Sequence, residues 1–278
     1  MATDDRFLSD RFPLASRYHP DWVLDSAGGG ANSLWITEWL ASAMSLQPGM
    51  RVLDLGCGRA ASSIFLHREF GVQVWATDLW VSASENLKRI GDAGAGDGVF
   101  PIHADARSLP FAGDFFDAIV CIDSFPYFGT DELYLNYLAH FVKPDGLIGI
   151  AGAGLAKEFE GPVPPHLKGF WGQDSWALHS AAWWRRHWEK TGIVTIEDAG
   201  LMPDGWRVWL DWHKTGFPEN EPEINTLETD AGQHLGYVRV VGRRNGGVQL
   251  EDYCWPDTLR VSPEDYHHSP LLRDPEEA

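Results

Sequence analysis

The stretch VLDLGCGRAASS, Val52 to Ser63, decides the fold. An apolar run carries Asp54 near its end, turns at Gly56 and Gly58, and continues into small residues that open a helix. Strand, glycine turn and helix make the first unit of an open parallel sheet, whose ligand lies beyond the carboxyl ends of the strands. The turn has no lysine and no GK[ST] ending, and the nearest charge on its strand side is negative. Its ligand must therefore suit glycine amides with an acid beside them.

The same alternation runs outward from this unit. RVLDL, VQVWATD, VFPIHAD, FFDAIVCID and GLIGIAGAG are expected as strands. Between them come AASSIFLHREF, a helix from Ser82 to Ile90 with Ser82 and Glu85 placed as a capping box, and a helix from Thr130 to Phe141 with acids in its first turn. Pro144-Asp145-Gly146 is expected as a turn. Short apolar strands alternating with helices imply right-handed crossovers and a parallel sheet covered on both faces. Upstream, residues 1–31 read as an extended arm with Gly28 to Gly30 as a hinge, and Ser33 to Met44 as a helix. Downstream, 156–180 is proline- and glycine-rich and reads as an inserted lid. Ala181 to Lys190 and Trp206 to His213 are expected as helices, 214–231 as an acidic loop, and HLGYVRVVGRR as the final strand, in a hairpin at one sheet edge. The expected architecture is a single α/β domain. It has a Rossmann-like seven-stranded, mostly parallel sheet with the last strand antiparallel, helices on both faces, an N-terminal arm and an inserted lid. Its parts are 1–47 (arm and first helix), 48–155 (cofactor half), 156–247 (lid and substrate half) and 248–278 (tail).

Gly56-Cys57-Gly58-Arg59-Ala60-Ala61 also matches the dinucleotide pattern GxGxxG/A, and Asp78 ends the next strand about 20 residues on, where a ribose is gripped. A nicotinamide or flavin enzyme is therefore the rival. Asp54 weighs against it. A carboxylate about 4 Å from a phosphate charge costs roughly 4 kcal/mol at an effective dielectric near 20. That cost applies if Asp54 points into the site. S-adenosylmethionine has no phosphate and carries an ammonium and a sulfonium, so an acid at the strand end helps to hold it, directly or through water.

From about Pro48 to Gly154 the chain resembles the class I S-adenosylmethionine-dependent methyltransferases, with a weaker likeness to about Arg243. Their motif D/E-x-G-x-G-x-G reads Asp54-Leu55-Gly56-Cys57-Gly58-Arg59-Ala60, with Ala60 in place of the third glycine, where it is expected to crowd the methionine end of the ligand. By this resemblance Asp78 grips the ribose hydroxyls, Leu79 and Trp80 flank the adenine, Asp105 and Ala106 meet its amino edge, and Cys121 to Ser124, including Ile122, line the sulfonium. The likeness is to the small-molecule subgroup that methylates quinones, sugars and antibiotic scaffolds. The position that reads D/N-P-P-Y in enzymes acting on exocyclic or amide nitrogens is Asp123-Ser124-Phe125-Pro126-Tyr127 here. The implied cofactor is S-adenosyl-L-methionine and the chemistry is in-line displacement at its methyl carbon. Enzymes of this fold that cyclise or cleave the cofactor stay open as a third alternative.

A base is needed only where the acceptor must lose a proton. Candidates are Asp123 at a strand end, His179 at the mouth of the lid, and His166. By resemblance Tyr18 in the arm touches the methionyl part, with Trp22 beside it, and Asn32 and Trp35, which begin the first helix, are further candidates to face the pocket. Trp171, Trp176, Trp183, Trp184, Trp188, Trp206, Trp209 and Trp212 are ordinary packing or an aromatic wall for a cationic acceptor. Cys57 suits a tight turn better than a nucleophile's role. No histidine pair has a spacing such as HExxH, and no catalytic metal is expected.

The formal charge of −18 disfavours nucleic acid and anionic membranes as partners. Three scattered cysteines and an acidic start without an apolar run lead to the expectation of a reducing, cytoplasmic setting without a signal peptide. The tail with Tyr253, Trp255 and Tyr266 is expected to pack on the domain or on a partner, a homodimer included.

Overall fold

A computed structural model of the chain describes residues 4–251. Its seven strands are β1 (Arg51–Leu55), β2 (Gln73–Asp78), β3 (Val99–His103), β4 (Phe116–Ile122), β5 (Val142–Leu155), β6 (Val194–Leu201) and β7 (Leu235–Arg244). They form one sheet in the order β3-β2-β1-β4-β5-β7-β6. β1 to β5 pair in parallel, and β7 runs antiparallel between β5 and the edge strand β6. The closing strands do pair as a hairpin, but the last one is inserted inside the sheet and the earlier one forms the edge. β1 is central and is covered on both faces, so it reads as a nearly unbroken apolar run. The strand order reverses between β1 and β4, which places a ligand crevice there.

Nine helices are assigned among the described residues: α1 (Pro20–Leu24), α2 (Ser33–Ala41), α3 (Ala61–Phe70), α4 (Ala83–Asp92), α5 (Pro126–Gly129), α6 (Tyr134–Ala139), α7 (Ala181–Glu189), α8 (Gly205–Gly216) and α9 (Glu221–Asp230). One apolar layer joins α2, α3, α8 and the arm to Val52, Val74 and Val241. The other joins α6 and α7 to Leu53, Ile119 and Val240. Alternate residues of each strand thus feed opposite layers. Local signals hold where they are chemically complete. Ser82 accepts from the Glu85 N–H while the Glu85 carboxylate accepts from the Ser82 N–H, the reciprocal cap that starts α4. Gly71, at φ 67, closes α3 in the left-handed region.

Three expectations are corrected. The helix proposed over 130–141 is shorter and starts later, as α6, because the Asp131 carboxylate accepts from the Leu133 N–H and ties its own backbone into a turn before it. The acidic stretch 214–231 is a loop only in part. Glu221 and Glu223 with Pro222 form the first turn of α9, where acids and proline favour a helix start. Pro144 to Gly146 does not end a strand: it bulges from β5, whose pairing steps from Phe116↔Val142 to Ala118↔Leu147 while Asp145 takes φ 63.

Val248 and Leu250 pack on the second layer, and Glu251 exchanges two hydrogen bonds with Asn136. Tyr253, Cys254, Trp255, Tyr266 and the His267-His268 pair lie outside the described residues. Among those described, no helix is long and apolar enough to cross a membrane.

Candidate active site

A cavity of about 660 Å³ opens at the carboxyl ends of the central strands, at the point of strand reversal. One end is walled by the glycine loop, the ends of β2 and β3, and Ile122. The other is walled by Asp123, Ala153, the inserted segment, Trp209 of α8 and Glu223 of α9. Ser26 to Gly30 and Ser33 of the arm complete it.

The glycine loop is built by its own amides. Gly56 and Cys57 donate to the Thr77 carbonyl at 2.8 and 3.1 Å, Gly58 donates to Asp78 Oδ2 at 2.8 Å, and Ala60 donates to the Cys57 carbonyl at 2.9 Å. Gly56 has φ 72, and a Cβ there would collide with the Ser124 side chain, so only glycine fits. A Cβ on Gly58 would meet open cavity instead. Ala60 sits at φ 59 at the start of α3, fully buried and off the cavity wall. The missing third glycine therefore costs backbone strain and does not crowd the ligand.

Asp54 is not where direct contact requires it. It is wholly buried and off the wall; its Oδ2 accepts from Ser62 and Ser63 at 2.5 and 2.6 Å, and of the two serines Ser62 lines the cavity. The case against a diphosphate therefore does not rest on a direct contact with Asp54. Asp78 lines the cavity, with Oδ2 on the Gly58 amide and Oδ1 accepting from Trp80 and Val81, both at 2.8 Å. A pyrophosphate needs loop amides free. Here Gly56, Cys57, Gly58 and Ala60 have protein acceptors, and one of these is a carboxylate. Asp54 Oδ1, buried without a hydrogen-bond partner, lacks a donor. Burial pushes the Asp54 carboxyl up to about 6, against the two serine bonds. An orphaned buried carboxylate oxygen behind the loop fits a cationic ligand and disfavours an anionic one.

The remaining cofactor-end candidates converge. Leu79 and Trp80, at the rim, and Asp105, Ala106 and Ile122 all line the cavity. Asp105 Oδ1 accepts from the Arg107 amide at 2.8 Å, which fixes its carboxylate after β3. Trp80 and Tyr127 meet edge-on across the mouth, their centroids 5.7 Å apart.

Asp123 lines the other end at φ 54, a strained position for a residue with a side chain. The Ala153 amide donates to its Oδ1 at 2.8 Å, and the Tyr237 hydroxyl stands 3.5 Å from its Oδ2. Burial pushes its carboxyl up to about 7. A Cβ on Gly30 would strike both Tyr237 and Asp123, so the hinge glycine is also a close-approach residue. Tyr237 in turn accepts from the Ala31 amide at 2.5 Å and fastens the arm to β7.

Other candidates fall elsewhere. Tyr18 bonds Glu69 at 3.1 Å and packs on Trp22 and Phe65, away from the cavity. His179 lies outside the wall, stacked on Trp183 at 3.7 Å with Nδ1 3.2 Å from Glu158; its neighbour Leu178 takes the lining position. His166 faces Asp230. Asn32 caps α2 through the Leu34 amide, and Trp35 packs on Phe7, Phe12 and Trp212. Cys57 lines the wall, but burial raises its thiol well above the usual range, against a nucleophile's role. Of the second-half tryptophans, Trp209 lines the cavity; Trp184 and Trp188 pack on Phe125. Sequence reasoning passed over Ser26, Asp174, Glu223 and Tyr237. Glu223 accepts from Trp209 Nε1 at 2.8 Å and Asn220 at 2.7 Å, and these contacts with His213 outweigh burial to hold it below the usual carboxylate range.

Residues 52–146 match the family model described as a methyltransferase domain. The chain is 31% identical over 117 residues to methyltransferase GfsG of Streptomyces halstedii, covering 42% of each protein. It is 25% identical over 210 residues to the 2-methyl-6-phytyl-1,4-hydroquinone methyltransferase of Synechocystis, covering 66% of this chain and 64% of that one. The chain thus spans less than two thirds of the length of either relative. A solved structure of phosphoethanolamine N-methyltransferase 2 from Haemonchus contortus, in complex with S-adenosyl-L-methionine, superposes with a TM-score of 0.65 at 16% identity, over 87% of this chain and 59% of that one. At that identity it shows the fold. Strand order, glycine loop and family model agree: the chain has the fold of the S-adenosylmethionine-dependent methyltransferases, and its residues 52–146 match a methyltransferase domain.

Proposed function

We propose that the chain transfers a methyl group from S-adenosylmethionine to a small amine. The observation that carries the acceptor class is the far wall of the cavity. Asp123, Asp174 and Glu223 stand there with Phe170 and Trp209, while the cationic side chains of the described lining, Arg59 and Arg107, belong to the glycine loop and to the turn after β3. Such a wall disfavours an anionic acceptor. It attracts a cation through its carboxylates and through aromatic faces worth about 0.5–2 kcal/mol. The nematode structural neighbour is an N-methyltransferase, acting on the amine of phosphoethanolamine.

When bound, the cofactor supplies a methyl carbon already attached to a sulfonium leaving group. Asp78, held rigid by three amides, is the ribose acceptor; Asp105 and Ala106 meet the base edge; Leu79 and Trp80 flank it; Asp54, through Ser62, balances the ammonium. Asp123 takes the proton that an ammonium must lose before its nitrogen can attack. With its carboxyl pushed to about 7, it is poised near neutral pH, where general bases work best. The arm from Ser26 to Gly30 and the inserted Phe170 and Leu178 exclude water from the displacement.

The test is an acceptor panel with product mass spectrometry. Primary and secondary amines should gain a methyl group while phenols and carboxylic acids do not. Methylated phenols with unreacted amines would discard the amine class. Cofactor consumed without any methylated product would discard methyl transfer in favour of cofactor cleavage or cyclisation.

A further inference from the structure

Outside the cavity, three side chains from distant parts of the sequence converge. His166 lies in the short turn Pro165–Leu167 of the inserted segment, Asp230 ends α9, and His234 precedes β7. His166 Nε2 and His234 Nδ1 each lie 2.9 Å from the same oxygen, Asp230 Oδ1, and the three atoms fall within 4.8 Å of one another. Asp230 is fully buried, and its other oxygen accepts from the His234 and Leu235 amides at 3.0 and 2.9 Å. The carboxylate is thus locked with one oxygen turned to both imidazoles, while each histidine keeps about a fifth to a quarter of its side chain exposed as a way in.

We infer that His166, Asp230 and His234 form a binding site for a divalent transition-metal ion that clasps the inserted segment to α9. Cis ligands on bonds of about 2.1 Å stand about 3.0–3.4 Å apart; the two nitrogen–oxygen separations of 2.9 Å are close to this, and the two imidazole nitrogens, within 4.8 Å of each other, close by up to about 1.4 Å through rotation of the partly exposed rings. Two imidazoles and one carboxylate select zinc, cobalt, nickel or iron over magnesium and calcium, which require oxygen ligands. The amides on the second carboxylate oxygen orient the ligand, as outer partners do in metal centres. Binding requires both imidazoles neutral.

None of the three residues lines the cavity, so the ion is structural and not catalytic. Its consequence reaches the site all the same. The insert supplies Phe170, Asp174 and Leu178 to the acceptor wall and α9 supplies Glu223, and the ion joins these two pieces. This consequence rests on the function proposed above; the binding itself does not.

The experiment uses the full chain, chelator-treated, with His267→Ala and His268→Ala introduced to remove the adjacent histidine pair of the tail. Cobalt(II) is titrated and followed by its visible absorption, then displaced by zinc. One equivalent is expected, with affinity reduced at least tenfold in His166→Ala and in His234→Ala. In the protein with both histidines intact, zinc should shift the ring-nitrogen resonances of His166 and His234 and raise the melting temperature. If acceptor binding is measurable, its KM should fall with zinc while cofactor affinity stays constant. Absence of stoichiometric uptake at micromolar metal, uptake undiminished in both variants, or zinc-induced shifts on other histidines alone would overturn the site, whatever reaction the cavity performs.

Discussion

The two ends of the cavity are built in opposite ways. At the proposed cofactor end, the side chains sit on or just after strands β1 to β4, and the two carboxylates accept from amides two or three residues on, Asp78 from Trp80 and Val81 and Asp105 from Arg107, with Asp78 also accepting from Gly58 of the neighbouring loop. At the proposed acceptor end, Asp123 follows β4 and Ala153 lies on β5, but the other residues come from an insert, two helices and the arm, and the supports cross the chain. Asp123 is held from Ala153 and Tyr237, and Tyr237 from Ala31. The first end is a local motif repeated along a rigid sheet edge. The second is an assembly that exists only once the sheet has closed. Binding of a common cofactor suits the former, and variation of acceptor suits the latter.

Substitutions should separate the two ends. The largest effect is expected for Asp123→Asn: turnover should fall by about 10²–10⁴-fold, the range for loss of a general base. Cofactor affinity by calorimetry should change less than about threefold, since the contacts removed lie at the other end. The wild-type rate should rise with pH through about 7, as Asp123 ionises, and this limb should vanish in the variant. A large loss of cofactor affinity in Asp123→Asn would break the division.

Asp78→Ala should do the reverse. Losing charge-assisted bonds worth about 1.5–3 kcal/mol each should weaken the cofactor by about 100-fold or more. Glu223→Gln should raise the KM of cationic acceptors by about tenfold through one lost charge contact, with neutral analogues and cofactor unchanged.

Asp54 gives the pH test of the cofactor end. Its folded-state value of about 6 lies above the ordinary 3.8, so in the free protein its protonated form is favoured, and the stability this gives is lost as pH rises through about 6. A cationic ligand favours the ionised form. Cofactor affinity should therefore drop about tenfold between pH 7 and pH 5, as the ionised fraction does. An affinity flat across that range would remove Asp54 from cofactor binding. The smallest effect belongs to Ala60→Gly. Relief of left-handed strain, about 1–2 kcal/mol, less the extra freedom of an unfolded glycine, about 0.4–1 kcal/mol, should raise stability by about 0–1.6 kcal/mol in a thermal melt. Cofactor affinity should stay unchanged.

What could be read in advance follows the same division. Gly56, Gly58, Asp78, Leu79, Asp105 and Ala106 were legible because strand ends project them to one sheet edge, and a strand end can be found in sequence. Asp54 was legible as a residue and not as a direction. Side chains along a strand alternate between faces, and which face the site takes is set by the helices packed on it. Tyr18 and His179 were misplaced because an aromatic or a histidine in a loop finds whatever partner folding brings, here Glu69 and the face of Trp183. Glu223 is not legible in advance because acids beside a proline suit a loop as well as the first turn of a helix, and only packing chooses between them.

By itself the sequence determined a parallel sheet with a glycine turn at its centre, because periodicity, glycine freedom and capping chemistry act within a few residues. Only the tertiary structure decided that β7 slips between β5 and β6, that Asp123 lies under Gly30 beside Tyr237, and that His166 meets Asp230 across 64 residues. Those contacts arise from packing between distant segments, whose partners are chosen by complementary shape and buried charge once the chain is compact, and no local pattern records that choice.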